Sequence, residues 1–426
     1  MDIYVANRPL TGRIRAISSK SDVHRFLFAA ALAGGRSSVH FTTLSYDIKA
    51  SIAALRALGA DISLSGADGG YTAEIGGIAE PKRDALLDAA ECGTTARLLL
   101  PVAAALGGGF TLTGKPGLAA RPFDALCTAL AAHGAQLDRD RLPITGRGRL
   151  QSGVYRIRGD VSSQYISGLL FALPRLAGDS EIALTAPLVS AGYVDMTLDT
   201  LARFGVRIEK KTTGGFAIPG GQTFTPVRDY TAEGDWSNAG YFLAAGALGG
   251  NVTVEGLSAD SRQRDRRLLD LLMQAGAAVT RHPDGGITVS GGRLRGIDAD
   301  GEDIPDALPM LVGVLATAAG ESRITGAARL RLKESDRIAT TAAMLTALGG
   351  DVTGGRDGFA VRGKRLGGGT VEAANDHRIV MAAAVLAAAT EGGVTIRGAE
   401  AVNKSYPTFF EDLQKLGGET NVVTHG

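Results

Sequence analysis

The chain has 426 residues, of which 45% are hydrophobic, so it can bury a large core in two or three domains. Its formal net charge of +1 excludes nucleic-acid binding through a basic field over the whole surface. No apolar run reaches the roughly 18 residues of a membrane span, and no signal-peptide pattern precedes the strand-like residues 3–5. We therefore expect a cytoplasmic protein with no nucleic-acid or membrane partner.

The cysteine and histidine residues predict no metal centre. Cys92 and Cys127 form no CxxC pair, and the six histidines show neither HExxH nor HxH spacing. The sequence therefore predicts neither a disulfide framework nor a zinc site.

Taken in chain order, the predicted elements repeat six times. One series consists of apolar blocks typical of buried helices, each ending in a glycine, at residues 26–34, 96–107, 166–178, 239–249, 308–320 and 379–392. A second series consists of amphipathic helix ends that read Leu-x-x-x-Gly, at residues 55–59, 130–134, 201–205, 272–276, 345–349 and 413–417. Successive glycines within either series are 68 to 75 residues apart, near a sixth of the chain. Each glycine is predicted to be the C′ residue that ends a helix.

Each copy is predicted to run strand, buried helix, strand, amphipathic helix and then one or two short strands. Two series in phase over six copies argue against chance recurrence in an Ala/Gly/Leu-rich chain. This alternation indicates the α/β (α+β) class, and three copies in each of two domains is the simplest division of six.

The first buried helix is preceded by a concentration of polar residues. Ser21 and Asp22 are typical N-cap residues, which places Lys20 and Arg25 at the helix start. A helix N-terminus carries about half a positive charge and disfavours cations by several tenths of a kcal/mol. Two cations there are understandable if an anion lies between them and the backbone N–H groups, as in phosphate sites. A solvated basic turn is the alternative.

Polar residues also precede the other buried helices at the same offset, in segments 93–97, 160–164, 233–238, 303–306 and 375–378. If the copies surround a common centre, six positive helix ends point into one cleft, and an oligo-anion is the expected ligand. Ordinary N-capping is the better explanation for Thr95, Asp235 and Ser237. It does not account for Lys20, Arg25 or Arg378.

Other candidate residues lie near the ends of the repeats. Arg121, Lys404 and the run at residues 333–337 supply further charged groups, although that run also fits a capping box with i,i+4 pairing. Asp306 lies between Pro305 and an apolar helix, where a carboxylate is partly desolvated and near cations. Asp306 is therefore a candidate general base, with an N-cap aspartate as the alternative.

Eight motifs, in order from about Leu10 to Leu413, resemble the EPSP synthase (3-phosphoshikimate 1-carboxyvinyltransferase) family of enolpyruvyl transferases. They are Ser19-Lys20-Ser21 with Arg25, Gly93-Thr94 with Arg97, Arg121-Pro122, Ser162-Ser163-Gln164, Ile304-Pro305-Asp306, Lys333-Glu334-Ser335-Asp336-Arg337, Asp376-His377-Arg378 and Lys404. The resemblance implies two domains, each an inside-out α/β barrel of three βαβαββ units, that close on substrates bound in the cleft between them. The implied domains are residues 1–19 with 235–426, and residues 20–234.

The resemblance also implies the reaction. The enolpyruvyl group of phosphoenolpyruvate would be transferred to the 5-hydroxyl of shikimate 3-phosphate by addition and elimination, giving 5-enolpyruvylshikimate 3-phosphate and phosphate. This is a step of the shikimate pathway of aromatic amino-acid biosynthesis. No metal or organic cofactor is implied, and we expect a monomer.

Site residues follow from the matching motifs. Shikimate 3-phosphate would be bound by Lys20, Ser21, Arg25, Ser162, Ser163, Gln164, Ser190, Asp306, Arg329 and Lys333. Phosphoenolpyruvate would be bound by Lys20, Gly93, Arg121, Gln164, Arg337, Arg378 and Lys404. Asp306 would be the base, and Glu334 with Lys20 would handle the other proton.

The chain departs from the family's pattern at a few positions. Glu91 replaces a usual Asn, Leu98 a frequent Pro, Arg329 a frequent Asn and Ser18 a usual Gly. An extra carboxylate at Glu91 would repel phosphoenolpyruvate unless it is paired, for example with Arg97. We therefore expect weakened sensitivity to glyphosate, which mimics phosphoenolpyruvate.

Two alternatives remain at this point. The sister enzyme that transfers enolpyruvate to UDP-N-acetylglucosamine usually carries a reactive cysteine in the loop before Ala120-Arg121-Pro122, whereas this loop reads Gly114-Lys115-Pro116-Gly117. The second alternative is a non-catalytic repeat scaffold that binds a polyanion, or a relative that processes nucleic-acid ends.

Overall fold

The computed structural model describes residues 1–67, 69–212 and 214–424. The chain divides into two compact units. Unit 1 comprises Met1–Ser19 and Glu233–Gly426, and unit 2 comprises Lys20–Ala232. The second boundary falls between Ala232 and Glu233, two residues before the position predicted from the sequence.

The α-helices are short and are distributed over both units. Numbered along the chain, they are α1 (Lys20–Leu32), α2 (Tyr46–Leu58), α3 (Gly93–Leu106), α4 (Pro116–Ala119), α5 (Asp124–Ala131), α6 (Ser163–Ala172), α7 (Ala191–Arg203), α8 (Trp236–Ala247), α9 (Arg267–Gln274), α10 (Leu308–Leu315), α11 (Arg337–Ala347), α12 (His377–Leu386) and α13 (Phe409–Lys415). Within the described part of the chain, no helix has the length and apolar character needed to cross a membrane.

The strands are β1 (Asp2–Val5), β2 (Thr11–Arg15), β3 (Arg36–Phe41), β4 (Asp61–Ala67), β5 (Gly70–Gly76), β6 (Ala85–Asp88), β7 (Phe110–Thr113), β8 (Ala135–Leu137), β9 (Ile144–Gly148), β10 (Val154–Ile157), β11 (Ser180–Leu184), β12 (Glu209–Lys210), β13 (Phe216–Ile218), β14 (Tyr230–Thr231), β15 (Asn251–Glu255), β16 (Ala278–Arg281), β17 (Ile287–Ser290), β18 (Asp298–Asp300), β19 (Glu321–Thr325), β20 (Asp351–Gly354), β21 (Phe359–Arg362), β22 (Gly369–Glu372), β23 (Val394–Arg397) and β24 (Thr420–Val423).

The strands form four-stranded sheets that share one topology. In the order β6-β7-β9-β8, β6 and β7 are parallel, and β9 is antiparallel to both of its neighbours. A parallel pair needs a crossover connection, which α3 supplies, while a short turn joins the antiparallel β8 and β9. Each described sheet thus corresponds to one βαβαββ unit, and the predicted α/β class is confirmed.

In two of the described copies, the first strand and the buried helix that follows it in the chain belong to different units. β2 directly precedes α1 in the chain but pairs with β15 in unit 1. β14 directly precedes α8 but pairs with β3 in unit 2. In both places the chain passes from one unit to the other between the first strand of a copy and its buried helix.

The two ends of the chain meet in one sheet. β1 lies between β23 and β24 and is antiparallel to both. Unit 1 therefore completes its last βαβαββ copy with the N-terminal strand.

Each unit has its own hydrophobic core, built around three almost wholly buried helices. These are α1, α3 and α6 in unit 2, and α8, α10 and α12 in unit 1. An apolar helix buried on all sides can present only its ends to solvent or ligands. The polar starts of these six helices are therefore the places to look for a site.

The glycine prediction is confirmed for one series and wrong for most of the other. Gly59 ends α2 with φ of 126°, and its N–H donates to the carbonyls of Leu55 and Arg56, as expected for a C′ glycine. The other glycines of the Leu-x-x-x-Gly series also have positive φ. In the apolar-block series, Gly34, Gly178 and Gly392 do not have positive φ, and Gly320 lies five residues beyond Leu315, the last residue of α10. There the buried helix ends earlier, and the glycine lies in the following turn.

Candidate active site

The start of α1 places two cations in unit 2. The helix begins at Lys20, so Ser21 and Asp22 lie in its first turn rather than at the predicted N-cap. Nζ of Lys20 lies 2.8 Å from Oδ2 of Asp47, a residue of α2 that the sequence did not indicate. Both side chains are mostly buried, with exposed fractions of 15% and 12%.

Arg25 lies one turn further along α1 and connects it to α7. Its guanidinium donates to the carbonyl of Ser21 at 2.7 Å, to the carbonyl of Tyr193 at 2.8 Å and to Oγ1 of Thr197 at 2.9 Å. Burial lowers the pKa of Arg25 to about 10, which still leaves it charged at neutral pH. Tyr193 and Thr197 were not predicted, since their link to Arg25 spans about 170 residues of sequence.

Ser190 precedes α7 and has the left-handed backbone conformation, with φ of 50° and ψ of 46°. Its side chain is buried. A non-glycine residue in this region is uncommon and often marks a functional position.

Guanidinium groups lie against the start of α3. A Cβ added to Gly93 would be 3.0 Å from Nη1 of Arg121 and 3.2 Å from Nη1 of Arg97. Arg97 donates to Oε1 of Gln164 at 2.8 Å, and Nε2 of Gln164 donates to Oγ1 of Thr94. The positive end of α3 and two arginines thus favour an anion at this point.

The start of α6 adds two further predicted residues, Ser162 and Ser163, to the same group. Ser162 is the N-cap, and its hydroxyl accepts a hydrogen bond from the N–H of Gln164. Ser163 is the first helical residue. Since Gln164 contacts Arg97, the starts of α3 and α6 form one polar surface in unit 2.

A group of titratable side chains lies beside Lys20. Nδ1 of His24 lies 2.8 Å from Oγ of Ser51, and Nε2 of His24 lies 3.9 Å from Sγ of Cys92. Burial, with the charges of Lys20 and Arg25, lowers the pKa of His24 well below its usual value. Burial raises the pKa of the Cys92 thiol to about 12, so both groups are neutral at pH 7.

In unit 1, Asp306 is surrounded by cations. Its Oδ1 lies 2.7 Å from Nη1 of Arg337 and 3.2 Å from Nζ of Lys333. Its Oδ2 lies 3.2 Å from Nη2 of Arg378. The helix α10 is capped by Ala307 without a side-chain hydrogen bond, so Asp306 does not act as the N-cap aspartate considered above.

Arg337 is the centre of this cluster and is 1% exposed. Besides Asp306, it contacts Glu334, three residues earlier, and Asp376 at 2.8 Å. Burial opposes the charged form, but the charges of Asp376, Glu334 and Asp306 outweigh it and raise the pKa of Arg337. The N-cap of α11 is Asp336, so the run at residues 333–337 is not a capping box.

Arg378 lies at the start of α12 and is 2% exposed. It donates to the carbonyl of Ser237 and to Oδ1 of Asn238, both at the start of α8. Burial opposes its charge, but Asp306 outweighs burial and raises the pKa of Arg378. Among the described residues, Nε of Arg378 has no hydrogen-bond partner.

Lys333, Lys404 and Arg329 are the remaining predicted cations of unit 1. Burial lowers the pKa of Lys333, and the charge of Arg337 acts in the same direction. Nζ of Lys404 donates to the carbonyl of Asn375 at 2.6 Å, next to the start of α12. Arg329 instead donates to the carbonyl of Glu302 at 2.9 Å.

Asp265 is a buried acid that the sequence did not indicate. It lies in a short 3-10 turn at Arg264–Arg266, and its Oδ2 accepts a hydrogen bond from Ser237. Burial, together with the charge of Asp306, raises the pKa of Asp265 to about 6. Asp235 caps α8 as expected, whereas Thr95 and Ser237 lie inside their helices and are not caps.

Each unit thus presents cations at the starts of its buried helices. Three βαβαββ copies in each unit, combined with cations at these helix starts, are typical of the enolpyruvyl transferase class. The chain is 37% identical to the 3-phosphoshikimate 1-carboxyvinyltransferase of Clostridium novyi (strain NT) over 426 residues, with 98% of each chain covered. It is also 37% identical to the enzyme of that name from Methanocaldococcus jannaschii, with 97% of each chain covered.

The family profile and the solved structures agree with these relatives. The profile of EPSP synthase (3-phosphoshikimate 1-carboxyvinyltransferase) matches residues 5–413. The EPSP synthase from Acinetobacter baumannii matches with a TM-score of 0.80 and 27% identity, covering 99% of this chain and 100% of that chain. The chain belongs to the EPSP synthase family.

The predicted family, fold class and enzyme class are therefore confirmed. The matches favour this assignment over the UDP-N-acetylglucosamine enzyme and over a non-catalytic scaffold. The roles of individual site residues stay predictions.

Proposed function

We propose that this chain transfers the enolpyruvyl group of phosphoenolpyruvate to the 5-hydroxyl of shikimate 3-phosphate, with residues of both units binding the substrates. The family assignment supports the reaction. The observation that carries the residue roles is the ion-pair cluster of Asp306 with Arg337, Arg378 and Lys333.

Phosphoenolpyruvate carries a phosphate and a carboxylate, and both suit planar guanidinium groups. In unit 2 we assign it to Lys20, Gly93, Arg121 and Gln164. In unit 1 we assign it to Arg337, Arg378 and Lys404. Without substrate, Lys20, Arg337 and Arg378 are partly neutralised by the protein's own carboxylates, so a bound anion would share or replace those partners.

Shikimate 3-phosphate is assigned to polar groups at the starts of the buried helices and to the Asp306 cluster. The serine hydroxyls and the first backbone N–H groups of α1 and α6 suit a phosphate. The proposed contacts are Lys20, Ser21, Arg25, Ser162, Ser163, Gln164, Ser190, Asp306, Arg329 and Lys333.

The reaction requires a base near the hydroxyl and an acid near C3 of phosphoenolpyruvate. Asp306 accepts the proton of the 5-hydroxyl while the hydroxyl oxygen bonds to C2 of phosphoenolpyruvate. Glu334 with Lys20 delivers a proton to C3. The tetrahedral intermediate then expels phosphate and returns the C3 proton. The cations stabilise the negative charge on the leaving phosphate.

The test is phosphate release from both substrates by the wild type and by Asp306→Ala. Loss of a general base lowers turnover by about 10²-fold or more, while shikimate 3-phosphate binding is largely retained. Asp303→Ala, in the same loop, is the matched control and keeps wild-type turnover. Full activity in Asp306→Ala would remove it from the mechanism, and a wild type that binds but never turns over would favour the scaffold.

The monomeric state, the cytoplasmic location and the weakened glyphosate sensitivity stay predictions. Light scattering tests the first and cell fractionation the second. An inhibition constant typical of sensitive family members would contradict the third.

A further inference from the structure

We propose that His24, Asp47 and Cys92 form a binding site for a thiophilic divalent cation such as Zn²⁺ or Cd²⁺. One ligand atom from each residue lies within 4.8 Å of the other two. An imidazole, a carboxylate and a thiolate are a ligand set that Zn²⁺ prefers, with metal–ligand distances of about 2.0–2.3 Å. Small side-chain movements suffice to bring the three atoms around one ion.

The orientation of His24 resembles that of a metal ligand. Its Nδ1 is held by Ser51 at 2.8 Å, and Ser51 is in turn 2.7 Å from Oγ1 of Thr95. Nε2 is thereby directed at Sγ of Cys92, 3.9 Å away. Metal-binding histidines commonly use their second ring nitrogen in this way, which fixes the ring.

The ligand set includes one carboxylate that already pairs with a cation and one thiol that a metal ion can deprotonate. Cys92 is the N-cap of α3, and its Sγ accepts a hydrogen bond from the N–H of Thr95; a coordinated metal ion supplies the positive charge that converts a buried thiol to the thiolate. The carboxylate of Asp47 already holds one cation, the ammonium of Lys20. On binding, the ion displaces Lys20 from Asp47, and the thiol releases its proton to solvent.

Binding of the ion therefore inhibits the enzyme, because Lys20 is assigned to both substrates. This consequence rests on the proposed function, whereas ion binding itself does not. Inhibition and binding are consequently measured separately.

Binding is measured by titrating the whole protein with Cd²⁺ and recording the ultraviolet thiolate-to-metal charge-transfer band. We expect one ion per chain. Cys92→Ser abolishes the band, and Cys127→Ser, which changes the other buried cysteine, leaves it intact. Ser51→Ala weakens binding by about 10–100-fold because His24 loses its orienting partner.

If Cys92→Ser does not fold, a variant that is expected to bind the ion more tightly still tests the site. Lys20→Met removes the competing ammonium, so Cd²⁺ binds more tightly than to the wild type. No charge-transfer band in a folded wild type, or an unchanged Cd²⁺ affinity in Lys20→Met, would overturn the site. Cd²⁺ binding with undiminished turnover would leave the site standing and contradict the role of Lys20.

Discussion

The buried charged side chains around Asp306 in unit 1 are stabilised by neighbours of opposite charge. Arg337 and Asp376 are almost fully buried, at 1% and 0% exposure, and each neutralises the other. Asp306 also balances Lys333 and Arg378. Breaking a buried ion pair by removing one partner leaves an uncompensated charge.

Arg337→Met is therefore expected to destabilise the protein by about 3–5 kcal/mol, because Asp376 is left buried without its main counter-charge. Urea unfolding followed by circular dichroism measures the change. The matched control is Arg362→Met, whose side chain is 67% exposed and pairs with an equally exposed Glu321. Equal stability of the two variants would show that the Arg337 ion pairs contribute nothing net.

Gly93→Ala tests the predicted phosphoenolpyruvate site with a single methyl group. The new Cβ would lie 3.0 Å from Nη1 of Arg121, which is closer than carbon contacts normally allow. The arginine must shift away from the start of α3, so KM for phosphoenolpyruvate rises by about tenfold or more, equivalent to about 1.4 kcal/mol. Gly117→Ala, where a Cβ meets nothing within 4 Å, leaves KM unchanged. An unchanged KM in Gly93→Ala would separate Gly93 from that substrate.

At this scale, the sequence indicated many of the charged groups but few of their partners. Lys20 and Arg378 could be selected because cations at helix starts are unusual, and Asp306 because a carboxylate before an apolar helix is partly desolvated. Asp47 could not be selected from the sequence, because it is an ordinary acidic residue in the first turn of α2. Only the fold places it beside Lys20.

At the scale of elements, the starts of the buried helices decide where polar groups can be placed. Capping by Ser162, Asp235 and Asp376 satisfies N–H groups that an apolar core could not. The apolar blocks predicted these helices from the sequence, but not their first residues. Cys92 caps α3 although cysteine is an uncommon N-cap residue, so the pattern of typical caps could not locate that helix start.

The turn at Arg264–Arg266 gives unit 1 a pH-dependent stability. The pKa of Asp265 is about 6 in the folded protein, against 3.8 for an ordinary aspartate. Between these values the folded protein holds a proton that the unfolded chain has lost, so the free energy of unfolding falls as pH rises. The substitution Asp265→Asn removes the titrating carboxyl and therefore this decrease of stability with rising pH.

We therefore expect Asp265→Asn to lose less stability than the wild type between about pH 4 and pH 7. The difference is measured by urea unfolding across that range. Asp270→Asn, an exposed acid on α9, should follow the wild-type pH dependence. Parallel curves for all three proteins would show that Asp265 titrates normally.

At the scale of the whole molecule, the repeat follows from the sequence pattern, whereas the exchange of strands between units is implied only by the family resemblance. The period of the glycines follows directly from the sequence, because a glycine with positive φ follows the amphipathic helix of each described copy. The repeat pattern alone does not predict the exchange of β2 and β14, because both strands precede a buried helix at the same offset. The pairing of β2 with β15 places β2 in unit 1, and the pairing of β14 with β3 places β14 in unit 2.

Unit 2 contains every strand of its three sheets, since β14 completes the sheet of β3, β5 and β4. It also has its own core. We therefore expect the fragment of residues 20–232 to fold alone, with cooperative unfolding and dispersed NMR signals. It should release no phosphate, because the Asp306 cluster belongs to unit 1.

Removing β14 should destabilise that fragment although it deletes only a few residues. The ring of Tyr230 stacks on Phe26 at 4.9 Å, its hydroxyl donates to Asp22, and Arg203 lies over its other side at 4.5 Å. Truncation at residue 228 loses these contacts and leaves β3 as an unpaired edge, so the urea midpoint should fall clearly below that of fragment 20–232. The substitution Tyr230→Ala in the longer fragment separates the side-chain contribution from strand pairing. If the truncated fragment is as stable as the longer one, β14 is dispensable to unit 2, and the exchanged strand does not hold the copy together.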